Sequence, residues 1–130
     1  MRSRGLCAGL SLALALGGAA FAESGRDLDR SLDAAPGGRT YRLHVPPAND
    51  TKAPLPLVLV LHGGGGSARG AGPMTGFSDL ADEKGFFAVY PNGSGLLPDR
   101  LLTWNSGNCC GWARDHRVDD VAFLRRLVVA

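Results

Sequence analysis

Leu57-Val58-Leu59-Val60-Leu61-His62-Gly63-Gly64-Gly65-Gly66-Ser67 decides the reading of this chain. Five consecutive β-branched or leucine residues are too few for a helix and read as a strand buried on both faces, as in a parallel sheet covered by helices. The glycine run that follows, Gly63 to Gly72 taken as a whole, is expected to lie outside regular structure. From Met74 the apolar residues Met74, Phe77, Leu80 and Ala81 recur every three or four positions, which predicts an amphipathic helix stopped by Gly85 in a left-handed cap. Phe86 to Tyr90 is the next buried strand, and Pro91-Asn92-Gly93 ends it.

The pattern extends in both directions. Upstream, Tyr41, Leu43 and Val45 alternate with Thr40, Arg42 and His44, the signature of a half-buried strand. Four prolines between Pro46 and Pro56 then turn the chain. Glu23 to Gly38 is polar, closes on Pro36-Gly37-Gly38, and reads as a flexible leader with little structure of its own. Downstream, a long loop runs to Val118. Asp119 or Asp120 then caps a helix with Val121, Leu124, Leu127 and Val128 inward and Arg125 and Arg126 outward. Strands alternating with helices predict an α/β fold with crossover connections, in one domain.

The first 22 residues form a separate unit: Arg2 and Arg4, an apolar run from Leu6 to Leu16, and Ala20-Phe21-Ala22 as a cleavage site. This reads as a secretory signal peptide, the rival being an uncleaved anchor, and the expected destination is extracellular or periplasmic. Removing Arg2 and Arg4 leaves 12 basic side chains against 12 acidic ones. A net charge of zero offers no footprint for nucleic acid, and no other segment predicts membrane contact after cleavage. Export also removes Cys7 and leaves Cys109 and Cys110 in an oxidising compartment, where structural disulfide use is the favoured reading. Their connectivity stays open, to each other or to cysteines elsewhere. A metal or thiolate site has no C-x-x-C and no histidine cluster behind it.

Chemistry concentrates in His62 to Ser67. Glycines directly after a buried strand leave backbone N–H groups unshielded, and acyl transfer needs such donors fixed in advance around a developing oxyanion. Phosphate binding would need Gly-Lys-Ser/Thr closing the run, or G-x-G-x-x-G entering a helix, and neither is present. A plain turn is the bland alternative. His62 reads better as a strand-end residue bonded to the loop backbone than as a general base. Asp115-His116 with Asp119-Asp120 reads as helix capping rather than as a metal site.

Several pieces in order now resemble a known family. They are Tyr41-Arg42-Leu43-His44-Val45-Pro46, the stretch Pro56 to Ser67, Phe87-Ala88-Val89-Tyr90-Pro91-Asn92-Gly93, Thr103-Trp104-Asn105, Cys109-Cys110-Gly111, and Val118-Asp119-Asp120-Val121-Ala122-Phe123-Leu124. Together, from Thr40 through Leu127, they resemble the N-terminal part of secreted α/β-hydrolase esterases related to polyhydroxybutyrate depolymerases and feruloyl or acetylxylan esterases. The resemblance implies an incomplete α/β-hydrolase sheet and serine-dependent hydrolysis of an ester substrate, either a hydroxyalkanoate polymer or a plant cell-wall ester, with no cofactor. It implies Gly64 as the oxyanion-hole donor, with Gly65 next, and support of the loop by His62, Gly63 and Ser67. Trp104 is the candidate substrate contact, with loop packing an equal alternative.

The departure is as informative. The family's nucleophile sits in a G-x-S-x-G elbow, and no serine here fits: Ser67 has Arg69 two residues on, Ser94 lies in Asn-Gly-Ser-Gly-Leu, and Ser106 in Trp-Asn-Ser-Gly-Asn. No catalytic residue is therefore assigned in this chain. It is expected to be truncated before the nucleophile and inactive alone. The competing class is a non-catalytic exported binding module or an unstable remnant.

Overall fold

The computed structural model describes residues 24–32, 38–50 and 53–130. The expected signal peptide lies outside the described residues. Four strands form one mixed sheet in the order β1-β2-β4-β3: β1 Arg26–Ser31, β2 Thr40–Val45, β3 Leu57–Leu59 and β4 Phe87–Pro91. β1 pairs with β2 and β2 with β4 antiparallel, whereas β3 and β4 run parallel. The parallel pair is joined by two helices, α1 Ala68–Thr75 and α2 Phe77–Lys84, and the chain ends in α3 Gly111–Asp115 and α4 Asp120–Val129. The α/β class expected from the alternation is the one observed.

The layers follow from the period-two alternation of β4. Ala88 and Tyr90 face α1 and α2 and pack with Val60, Ala68, Ala71 and Ala81. Val89 faces the other way and packs on Phe123 and Leu127 of α4, joined by Tyr41, Leu43 and Leu59. Helices thus cover both faces of the central strand. Among the described residues no helix is long and apolar enough to cross a membrane.

Six expectations are corrected. Glu23 to Gly38 is not simply a leader, because Arg26–Ser31 pairs along the whole of β2. Its polar sequence hides this, since β1 is an exposed edge held by charge: Arg42 reaches Asp29 at 2.9 Å. The strand at Leu57 is shorter than its apolar run and not buried on both faces. It is the opposite edge of the sheet, with Leu57 44% and Leu61 48% exposed.

The glycine-rich stretch does contain a helix. Ser67 caps α1 by accepting from Gly70 N, and the small residues Ala68, Ala71 and Gly72 let the helix lie close on β4, where a side chain at Gly72 would meet the Tyr90 ring. The single helix expected from Met74 is two helices broken at Gly76, whose φ of 68° is one that glycine adopts without penalty. Met74 and Leu80 point outward, and Ala81 with Phe77 makes the contact instead. Finally, the long loop contains α3, and α4 buries Phe123 and Leu127 while Val121 and Val128 stay exposed. Asp119 is the N-cap, accepting from Ala122 N at 2.9 Å, and Gly85 is the left-handed cap of α2.

His44 ties β1, β2 and α2 together. Its Nδ1 lies 2.8 Å from Asp27 Oδ1 and its Nε2 2.8 Å from Asp82 Oδ1, while Asp82 Oδ2 accepts from Gly25 N. Burial opposes the imidazolium, but hydrogen bonds to Asp82 and Asp27 outweigh it and raise the His44 pKa above the ordinary histidine value. A folded-state pKa above the unfolded one contributes stability that is complete below the unfolded pKa of about 6.5 and is lost as pH rises through the higher folded value. Unfolding midpoints in urea should therefore fall as pH rises above about 6.5 and through that higher folded-state value. His44→Gln should flatten the dependence, and an unchanged pH profile in that variant would exclude the charged clamp.

Candidate functional site

In sheets of this kind, ligands bind beyond the carboxyl ends of parallel strands, where the following loops diverge. Here the loop after β3 (residues 62–67) and the loop after β4 (residues 92–105) meet at that end and are bonded to each other at several points.

His62 is the first joint. It is 3% exposed, its Nδ1 lies 2.7 Å from Gly63 O, and Gly93 N donates to its Nε2 at 3.0 Å. A carbonyl on one side and an N–H on the other admit one state, the neutral ring with its proton on Nδ1. Burial, and secondarily the nearby Arg39 charge, push its pKa down and favour the same state against the opposing pull of Gly63 O. Both nitrogens are occupied, so His62 holds the loop and has no free valence for general-base work. This is the role expected from its place at the strand end.

The second joint is Asn92. Its Oδ1 accepts from Ala68 N at 2.6 Å, fixing the first turn of α1, and its Nδ2 donates to Thr40 Oγ1 and to Asp99 Oδ1. The third is the main-chain bridge between Gly66 and Leu102, in which Gly65 N donates to Leu102 O at 2.8 Å and Leu102 N to Gly66 O at 3.1 Å. Beneath them, Arg39 donates to Asn92 O at 2.8 Å and pairs with Asp120 at 2.9 Å, its guanidinium 4.0 Å above the Phe123 ring. Asp120 also accepts from Asn105 N at 2.6 Å.

These bonds sort the expected donors. Gly65 N–H is committed to Leu102 O and Gly66 N–H to Gly63 O, so neither can serve an incoming oxyanion. Gly65 is thereby corrected from donor to loop anchor, and its φ of 80° suits that turn. Gly64 N–H makes no hydrogen bond among the described residues, and no atom lies within 4 Å of where a side chain at Gly64 would begin. Of the two glycines, only Gly64 keeps the property an oxyanion donor needs.

Ser67 caps α1 rather than bracing the glycine loop directly. Trp104 is engaged in packing: its Nε1 donates to His62 O at 2.9 Å and its ring lies 5.0 Å from the His62 ring. Cys109 and Cys110 are paired with each other in a disulfide contact. Asp115 pairs with Arg114, and His116 stacks on Trp112. Among the described residues no cluster of histidine, cysteine or carboxylate side chains is arranged to hold a metal ion.

Sequence reasoning missed Arg39, Asn92, Asp99 and Leu102 as parts of the site. Asn92 and Asp120 sit inside motifs that the resemblance quotes, but apart from Asp99 the partners of Asn92 lie 24 or more residues away and those of Asp120 15 or more, a distance no local pattern reports. No protein-family model matches the chain, and no curated protein matches it significantly.

Gly93 shows how closely the two loops are fitted. A Cβ there would stand 2.5 Å from Thr103 O and 3.2 Å from His62 Cε1. Backbone cannot yield as a side chain does, so Gly93→Ala should cost about 1–3 kcal/mol by overpacking. It should also loosen the Ser94–Thr103 bridge, seen as faster hydrogen exchange at Ser94 and Thr103. Native-like exchange there would show that the loops tolerate separation.

Proposed function

We propose that this chain is the oxyanion-loop-bearing N-terminal portion of a secreted serine carboxylic ester hydrolase, of the polyhydroxybutyrate depolymerase or feruloyl esterase type. The observation that carries the reading is Gly64: an uncommitted backbone N–H on a glycine loop whose neighbours Gly63, Gly65 and Gly66 are each bonded into place, beyond the carboxyl ends of β3 and β4. That arrangement supplies a preorganised donor at no reorganisation cost during reaction. The ordered series of motifs from Thr40 to Leu127 supports the same family, and the basic start with Ala20-Phe21-Ala22 supports export.

The mechanism that follows divides the work. A serine alkoxide attacks the ester carbonyl, and the negative charge that develops on the carbonyl oxygen is received by Gly64 N–H. His62, neutral and doubly bonded, keeps Gly63 and hence Gly64 in position without exchanging a proton. Within residues 1–130 no G-x-S-x-G elbow is present, so the nucleophile, acid and base are not supplied by these residues.

The test is a fusion. Residues 40–130 are joined to the nucleophile-bearing half of a polyhydroxybutyrate depolymerase, and hydrolysis of p-nitrophenyl acetate is followed with and without a serine-directed phosphonate. Phosphonate-sensitive turnover by the fusion, with none by the 130-residue chain, is the expected result. A folded fusion without turnover, or phosphonate-sensitive turnover by the chain alone, would overturn the assignment.

A further inference from the structure

Between the glycine loop and the turn at residues 96–101 lies a cleft of about 440 Å³, walled by Gly65, Gly66, Leu97 and Leu101 with Arg100 beside them. The turn is built in an unusual way. Leu97 and Arg100 pair across it, and both Asp99 (φ 57°) and Leu101 (φ 52°) adopt left-handed backbone conformations that side-chain-bearing residues rarely take. Leucine gains nothing locally from that conformation, which crowds its Cβ against the following carbonyl.

Two anchors hold the turn in this state. Asp99 Oδ1 accepts from Asn92 Nδ2 at 2.6 Å and Thr40 Oγ1 at 3.2 Å, and the Leu102 main chain is bonded to Gly65 and Gly66. Between the anchors Leu101 projects outward, 66% exposed, with Leu96 and Leu97 exposed on the same turn. Strain that displays an apolar side chain instead of burying it is a mark of a binding surface. Arg100 completes the chemistry. Among the described residues its side chain makes no hydrogen bond or ion pair, whereas Arg39 and Arg42 are both paired with carboxylates.

We propose that this cleft binds a short aliphatic chain that ends in a carboxylate, the chain lying between Leu97 and Leu101 and the carboxylate on Arg100. The proposal deepens the ester-hydrolase reading and rests on it for its biological sense: the cleft shares Gly65 and Gly66 with the oxyanion loop and so selects substrates carrying an aliphatic, acid-terminated portion next to the scissile ester. Apolar walls reward the chain. A single unpaired guanidinium rewards an anion over an alcohol or an amine of the same length, through a charge-assisted bidentate bond.

Hexanoate is the probe, titrated into the ¹⁵N-labelled 130-residue chain and followed by amide chemical shifts, with hexanol and hexylammonium as controls. Binding needs no nucleophile, so the result is independent of whether the fusion is active. Saturable shifts at Gly65, Gly66, Gly70 and residues 97–101 are expected with hexanoate, and weaker ones with both controls. Arg100→Gln should weaken hexanoate about tenfold and leave hexanol unchanged.

Leu101→Asn separates binding from structure. Asparagine tolerates the left-handed region, so this variant should unfold at a higher temperature and yet bind hexanoate more weakly. Shifts scattered over other leucines, equal binding of hexanol, or unchanged affinity in Arg100→Gln would overturn the proposal. If hexanoate fails while the fusion turns over, the cleft is excluded and the oxyanion loop stands.

Discussion

Asp120→Ala is expected to lower the unfolding free energy by about 3 kcal/mol, at the lower end of what removing one partner of a buried ion pair costs. Asp120 is 5% exposed and joins three parts of the molecule: Arg39 before β2, Asn105 in the loop after β4, and the first turn of α4. Its removal strands the Arg39 guanidinium, whose pKa is already pushed down, first by burial, against the opposing hydrogen bond to Asp120. Arg39 retains Asn92 O and the face of Phe123, and part of its surface still reaches water, which keeps the loss from being larger. Urea unfolding followed by circular dichroism measures the effect. The double variant Arg39→Met with Asp120→Leu should recover most of it, because removing both charges also removes their desolvation cost. A single variant within about 0.5 kcal/mol of the parent, the range of ordinary surface changes, would show that the pair is solvated and carries little.

The second large effect concerns Gly64 in the fused enzyme. Gly64→Pro deletes the one N–H of residues 64–66 that the fold leaves uncommitted, and loss of an oxyanion donor lowers kcat by about 10²–10³ with KM little changed. Proline also fixes φ, so circular dichroism and the exchange rate of Gly65 N–H must show that the loop persists. Gly64→Ala is the discriminating companion. Open space surrounds that position, so alanine keeps the donor and should retain most activity. Near-normal kcat in a folded Gly64→Pro enzyme would move the donor elsewhere.

What could be read in the sequence depended on the range of the forces involved. β4 was legible because four of its five residues are buried around the sheet centre and its limits are set by Gly85 and Pro91-Asn92-Gly93, all local signals. The Asp119 cap was legible for the same reason. β1 was not, since Arg26–Ser31 is polar and is a strand only because β2 presents Arg42 and His44 to Asp29 and Asp27. Helix α1 was hidden by Gly70, Gly72 and Pro73, poor helix formers, and the small size of Gly72 becomes an advantage only against Tyr90. In the site, His62 and the glycine run stood out because glycine and histidine at a strand end carry local meaning, whereas the choice of Gly64 came from the family resemblance. The disqualification of Gly65 depended on Leu102, 37 residues away, and no spacing rule announces such a partner.

The position of β3 at the rim of the sheet has a consequence for handling. Val60 N donates inward to Val89 O, and by alternation the amides of Leu57, Leu59 and Leu61 point away from the sheet. Outward amides flanked by exposed leucines are a template onto which another extended segment can dock and grow, the first step of cross-β assembly. Brevity is the main deterrent, since a three-residue strand offers few rungs. Concentration, more than temperature, then governs how long the chain stays dispersed, and a peptide that occupies that rim should act as a solubiliser.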